Sequence, residues 1–90
     1  MGQKKYKVKL NNTKFTTTFV YSITSEIESN YTIKIVSIRE KKILKKTNVK
    51  KVIGTKYFKI DLTHLKKGKY NFIVTRENSK SNFKQKITKE

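Results

Sequence analysis

His64 is the only imidazole in the chain, and it lies three residues after Asp61. An acid and an imidazole at that spacing suit general acid–base chemistry when a nucleophile stands beside them. Ser and Thr are plentiful, yet there is no Gly-x-Ser-x-Gly elbow and no glycine-rich phosphate loop. Asp61 is therefore expected to bond the backbone of its own turn, and the chain is not expected to be an enzyme. Glu26, Glu28 and Asn30 put oxygen ligands into one short stretch, which is the ligand chemistry of Ca²⁺. Their spacing and charge fall short of a dedicated calcium loop. A solvated turn is expected there, with no metal and no cofactor. The chain has no Cys, which removes disulfides and thiolate metal sites. Arg76 and Glu77 read as an exposed ion pair, worth little.

The basic residues carry the strongest chemical signal. Twenty-three Lys and Arg against six Asp and Glu give a formal charge of +17. A field of that size attracts nucleic acid, acidic polysaccharide or anionic lipid without a dedicated site. Lys41, Lys42, Lys45, Lys46, Lys50 and Lys51 crowd the middle of the chain, and Lys66, Lys67 and Lys69 crowd one stretch after it. Like charges that close cost free energy unless something anionic is bound. Only Arg39 and Arg76 offer the guanidinium fork favoured in bidentate phosphate recognition. Lys, Asn, Ile, Tyr and Phe fill 48 of the 90 positions, the residues of AT-rich codons, so part of the lysine excess reads as compositional bias. Tyr57 lies near the central cluster and is placed to stack on a base, although the aromatic-basic signature of an RNA-recognition sheet is absent.

The elements that must position these residues are legible through alternation. Lys5, Lys7 and Lys9 interleave with Tyr6, Val8 and Leu10, the pattern of a half-buried strand whose lysines face water and guard an edge. Phe15, Thr17, Phe19, Tyr21 and Ile23 keep period two through a Thr-rich segment. SEIESN at 25–30 reads as a polar turn, and Tyr31, Ile33 and Ile35 share one face after it. The phase slips at Val36 and Ile38, which predicts a bulge or a strand buried on both faces. A short strand follows around Ile43 and Leu44, and 45–54 reads as loop or irregular strand. Phe58, Ile60 and Leu62 alternate, as do Tyr70, Phe72 and Val74. A turn at ENSKSN leads to a closing strand with Phe83 and Ile87 inward. About seven strands at roughly ten-residue spacing, with no helical segment for crossovers, predict one domain over residues 1–90. The expected fold is all-β, a single antiparallel seven-stranded immunoglobulin/fibronectin-like β-sandwich, with a small barrel as the next choice. No apolar run approaches the roughly 20 residues of a transmembrane helix, and the start MGQKKYKVKL is not a signal peptide.

Between Leu62 and Tyr70 the chain must cross from one sheet to the other. Leu65 is placed to plug the open end of the core, and Gly68 to supply a backbone angle that other residues resist. The Tyr70 hydroxyl is placed to bond backbone near the corner. The cadence Leu62-x-x-Leu65-x-x-Gly68-x-Tyr70, followed by a turn and a lysine-bearing closing strand, resembles the C-terminal sorting domains of type IX secretion cargo in Bacteroidetes. Related small Bacteroides β-sandwich proteins share that cadence. The stretch YTIKIVSIREKKILKK resembles that family's preceding strand-turn-strand, so the resemblance covers Tyr31 to Glu90. It implies an immunoglobulin-like sandwich, a secreted or cell-surface location, and export machinery or a surface assembly as protein partner. It also implies that the machinery reads the chain's end, here Lys84, Gln85, Lys86, Ile87, Thr88, Lys89 and Glu90. The expected function is thus a non-enzymatic interaction or sorting module. The alternatives are a cytoplasmic nucleic-acid-binding protein acting through its lysine clusters and a structural subunit assembling by strand pairing.

Overall fold

The structure, a computed structural model, describes residues 6–79 and 82–90. Lys5 of the first alternation, and Lys80 and Ser81 of the ENSKSN turn, lie outside the described residues. Six strands are present: β1 Tyr6–Leu10, β2 Lys14–Phe15, β3 Thr18–Ser37, β4 Lys42–Asp61, β5 Gly68–Arg76 and β6 Asn82–Lys89. They form one curled, mixed sheet in the order β1-β3-β5-β6-β2, with β4 on the other edge of β3. The all-β expectation holds.

The finer expectation of seven antiparallel strands is not met, for two physical reasons. SEIESN does not end a strand. The backbone stays extended through it, and β3 runs on for 20 residues with register shifts between Ser25 and Ser29 and between Ser29 and Tyr31. Segment 45–54 is likewise strand, so the short Ile43–Leu44 strand and the Phe58–Leu62 strand belong almost wholly to β4, Leu62 lying just beyond its end. Lys51 (φ 56°) and Gly54 (φ 71°) supply the left-handed angles that bend β4 opposite the bend in β3. The Phe15–Ile23 alternation divides instead, because Phe15 changes partner. Lys14 and Phe15 pair with Thr88 and Lys89 of β6 in parallel, which makes the sheet mixed. The predicted slip near Val36 appears as a register shift between Ile35 and Val36.

On β3 the odd-numbered residues turn inward on both arms: Phe19, Tyr21 and Ile23 before the bend, Tyr31, Ile33 and Ile35 after it. The first arm pairs with β1 and the end of β4; the second pairs with β5 and the start of β4. Phe72 of β5 lies 5.0 Å from the Phe19 ring and 4.9 Å from the Tyr21 ring, so the two arms face each other across the core. At the bend Tyr31 Oη donates to Ser25 Oγ at 2.8 Å, and Ser25 Oγ donates to the Ile27 carbonyl at 2.6 Å. A chain of hydrogen bonds thus replaces the ladder where it is interrupted.

The corner after β4 forms as its residues dictate. Leu62 is buried, its N–H bonded to the Thr17 carbonyl at 2.8 Å, and Leu65 packs on the core. Gly68 holds φ at 151°, where a side chain would be strained although nothing occupies the space of a Cβ. The Tyr70 hydroxyl donates to the Lys66 carbonyl at 2.5 Å. Burial, and secondarily the nearby Glu40 charge, push that hydroxyl's pKa above its ordinary value. Tyr70→Phe removes the bond and is expected to cost about 1 kcal/mol, a fall in Tm of roughly 4–8 °C for a domain of this size. An unchanged melting temperature would contradict the role given to the hydroxyl.

Candidate anion-binding cleft

Two chain segments far apart in sequence meet at one end of the fold. Ser37 pairs with Tyr70 in the β3–β5 ladder, so the loop after Ser37 stands beside the corner before Tyr70. That loop is held by Ser37: its carbonyl accepts from Lys41 N at 2.8 Å and its Oγ accepts from Glu40 N at 3.0 Å. The corner is held by Asp61, whose Oδ1 accepts from Thr63 N at 3.0 Å and from Thr63 Oγ1 at 2.6 Å. Asp61 is therefore a turn residue, as its sequence position suggests, with its Oδ1 bonded to Thr63.

Between the two segments lies a cleft of about 570 Å³ with Leu44, Leu65 and Tyr70 among its lining. Arg39 enters from the loop, and His64, Lys66, Lys67 and Lys69 enter from the corner. Glu40 is the one carboxylate in the lining, and it also stands 4.0 Å from exposed Lys42. Four formal positive charges around a concave, partly apolar surface reinforce one another and focus potential into the cleft. The arrangement suits a compact anion such as a phosphate or sulfate group, with Arg39 supplying the planar fork.

The predicted lysines separate into those that share this place and those that do not. Lys66, Lys67 and Lys69 line the cleft, whereas Lys41 and Lys42, on the loop and at the start of β4, are not part of its lining. Lys45 stays near the corner, where its charge reaches Asp61, while Lys46, Lys50 and Lys51 run away along β4. Lys42 to Lys51 spans about 30 Å of extended chain, beyond the screening length of about 10 Å at moderate salt. The six central lysines are thus not one patch. Lys46 sits directly opposite Lys34, a like-charge pair across the β3–β4 ladder.

In the closing strand, Ile87 is core and Lys89 is only 7% exposed. Lys89 Nζ donates to the Leu62 carbonyl at 2.7 Å and the Thr63 carbonyl at 3.2 Å, tying β6 to the corner. Thr88 N bonds to the Thr13 carbonyl and Glu90 N to the Phe15 carbonyl, both at 2.8 Å. Gln85 is half-buried, which leaves Lys84, Lys86 and Glu90 as the exposed side chains of that segment. In the Glu26–Asn30 stretch the Asn30 amide is taken up by protein partners. Asn30 Oδ1 accepts from Lys51 N at 2.9 Å, and Asn30 Nδ2 donates to Glu77 Oε1 at 2.8 Å. Arg76, expected beside Glu77, carries its guanidinium 5.3 Å from the Tyr6 ring centroid. Among the described residues no helix is long and apolar enough to cross a membrane. No protein-family model matches the chain, and no curated protein matches it.

The Thr63 hydroxyl and amide, with His64 and Lys45 adding to them, hold the Asp61 carboxyl below its ordinary value of 3.8. A lowered folded value means that the turn's contribution is complete above about 3.8 and is lost as pH falls through the lower value. Carboxyl titration by NMR is expected to place Asp61 below 3.8, and Asp61→Asn to flatten stability over that acid window. Titration of Asp61 at or above 3.8 would contradict the turn's construction.

Proposed function

We propose that this domain is a non-enzymatic interaction module that engages an anionic polymer through the basic corner cleft. The observation that carries the reading is the convergence of Arg39 with His64, Lys66, Lys67 and Lys69 in one cleft. The fold brings these positions together, and the mutual repulsion of the charged groups that occupy them is relieved when an anion binds among them. The partner in this reading is an acidic polysaccharide or a nucleic acid recognised through its phosphates. Its location is cytoplasmic or extracellular according to the partner. We read the curled sheet, further, as an immunoglobulin-like sandwich whose two layers are the two arms of the long hairpin. The packing of Phe72 against Phe19 and Tyr21 supports this.

A second reading, an exported sorting module resembling the type IX domains, is favoured by the corner alone. Gly68 and Tyr70 adopt the roles that the shared cadence implies. In that reading the exposed side chains of the closing strand, Lys84, Lys86 and Glu90, meet the export machinery. An antibody blot of fractionated source cells and medium separates the two readings: a larger extracellular species supports export, and a 90-residue cytoplasmic species removes it.

Affinity for a heparin oligosaccharide and for a DNA duplex tests the cleft. Arg39→Ala with Lys67→Ala is expected to weaken binding at least about tenfold, since charge-assisted contacts contribute about 1.5–3 kcal/mol each. Lys50→Ala with Lys56→Ala removes the same charge elsewhere and is expected to cost far less. Affinity is expected to fall steeply with salt. Equal losses in the two double variants, or an affinity indifferent to salt, would overturn the proposal.

A further inference from the structure

The first arm of the hairpin presents a different surface on its outer side. Where Phe19, Tyr21 and Ile23 turn inward, the even-numbered residues of β3 turn outward between β1 and β4. Three rows cross that face. Lys7, Thr24 and Thr55 make one; Lys9, Ser22 and Tyr57 the next; Val20 and Lys59 the third, where Asn11 N bonds to the Val20 carbonyl at 3.1 Å. Three of these positions are lysine, and the adjoining row, Thr18 and Asp61, puts one carboxylate two residues from Lys59 on the same face.

Tyr57 is 77% exposed, the barest of the large apolar side chains exposed among the described residues. Its ring borders a shallow cleft of about 310 Å³ that reaches Lys9, Asn11, Val20 and Ser22. Ser22 faces outward yet is only 6% exposed, so longer neighbours overlie it. Tyr57 stands two strands from Lys9, about 10 Å, and two residues from Lys59, about 7 Å. One open aromatic face thus has a cation across the sheet and another along its own strand.

We infer that this face binds single-stranded nucleic acid, with a base stacked on Tyr57 and the flanking phosphates paired with Lys9 and Lys59. The aromatic ring decides for a single strand. A duplex keeps its bases stacked on each other, and a sulfated sugar chain offers no planar π-face, whereas an unpaired base stacks on a protein aromatic irrespective of its sequence. This site uses none of the corner cleft's residues and stands whether or not that cleft binds anions.

Fluorescence anisotropy of a labelled oligothymidylate, an abasic strand of equal length and a DNA duplex tests it on the full chain. Wild-type protein is expected to prefer the oligothymidylate to the abasic strand. Tyr57→Ala is expected to weaken oligothymidylate binding roughly 5- to 150-fold, the range for loss of one stacked base. Tyr57→Phe is expected to retain binding, and Lys9→Ala with Lys59→Ala to reduce the salt slope. Because Tyr57 is exposed, its replacement leaves the core intact. Wild-type protein that fails to bind the oligothymidylate, or binds the abasic strand equally, would overturn the inference. So would a Tyr57→Ala protein with wild-type affinity, including the case where Arg39→Ala with Lys67→Ala abolishes binding instead.

Discussion

A hairpin of two 20-residue strands has to fold over on itself in a domain this small. Extended at about 3.3 Å per residue it would measure about 66 Å, and the longest dimension of the molecule is 42 Å. The bend at residues 26–30 is therefore the constraint on which the rest depends. Asn30 holds it from three sides. Its Oδ1 accepts from Lys51 on the bent partner strand, its Nδ2 donates to Glu77 beyond β5, and its carbonyl accepts from Glu77 N at 2.9 Å. Polar groups that a straight ladder would have paired find partners here, so the interruption costs little. Folding the arms together is also what buries Phe19 and Tyr21 against Phe72, and that burial is the main favourable term available to a chain without disulfides.

The same bend sets the surface chemistry. Once the second arm pairs with β5, the loop at its end stands beside the corner that precedes β5. Arg39 then joins lysines some thirty residues later in the chain. β4, which pairs with β3 alone, carries its lysines along an open edge, where they discourage pairing with another chain. A strongly cationic protein can thus hold its charge in separate functional settings: a solvated edge, a focused cleft, and an aromatic-centred outer face.

Much of this was legible in the residues, and the limits have local causes. Period-two alternation located nearly all of the core, and the spacing from Leu62 to Tyr70 located the corner and its hydroxyl bond. Alternation cannot distinguish a turn from a bend, because both interrupt the pattern with polar residues. From sequence SEIESN therefore reads as a turn, and one long strand counts as two. Pairing partners are set by three-dimensional closure, which hid the parallel contact of Lys14 and Phe15 with β6. For the candidate cleft, the lysines at 66, 67 and 69 were visible as a cluster, but Arg39 and His64 were not seen as their companions. Only the register that puts Ser37 opposite Tyr70 unites them. Lys34, opposite Lys46, was missed although its place between Ile33 and Ile35 marks it as outward-facing. Lys89 looked like one more solvated lysine, and nothing local announced its two carbonyl partners at the corner.

In the proposed function, folding the hairpin makes one anion-binding cleft from two distant segments. The most direct measurement is an amide NMR titration of the protein with tripolyphosphate at moderate salt. Binding in the cleft predicts that the amides of 38–41 and of 62–69 shift together along one saturable curve, while those of Lys46, Lys50 and Lys51 on β4 move little. Shifts spread over all lysine-bearing strands in proportion to their charge, or confined to one of the two segments, would contradict it.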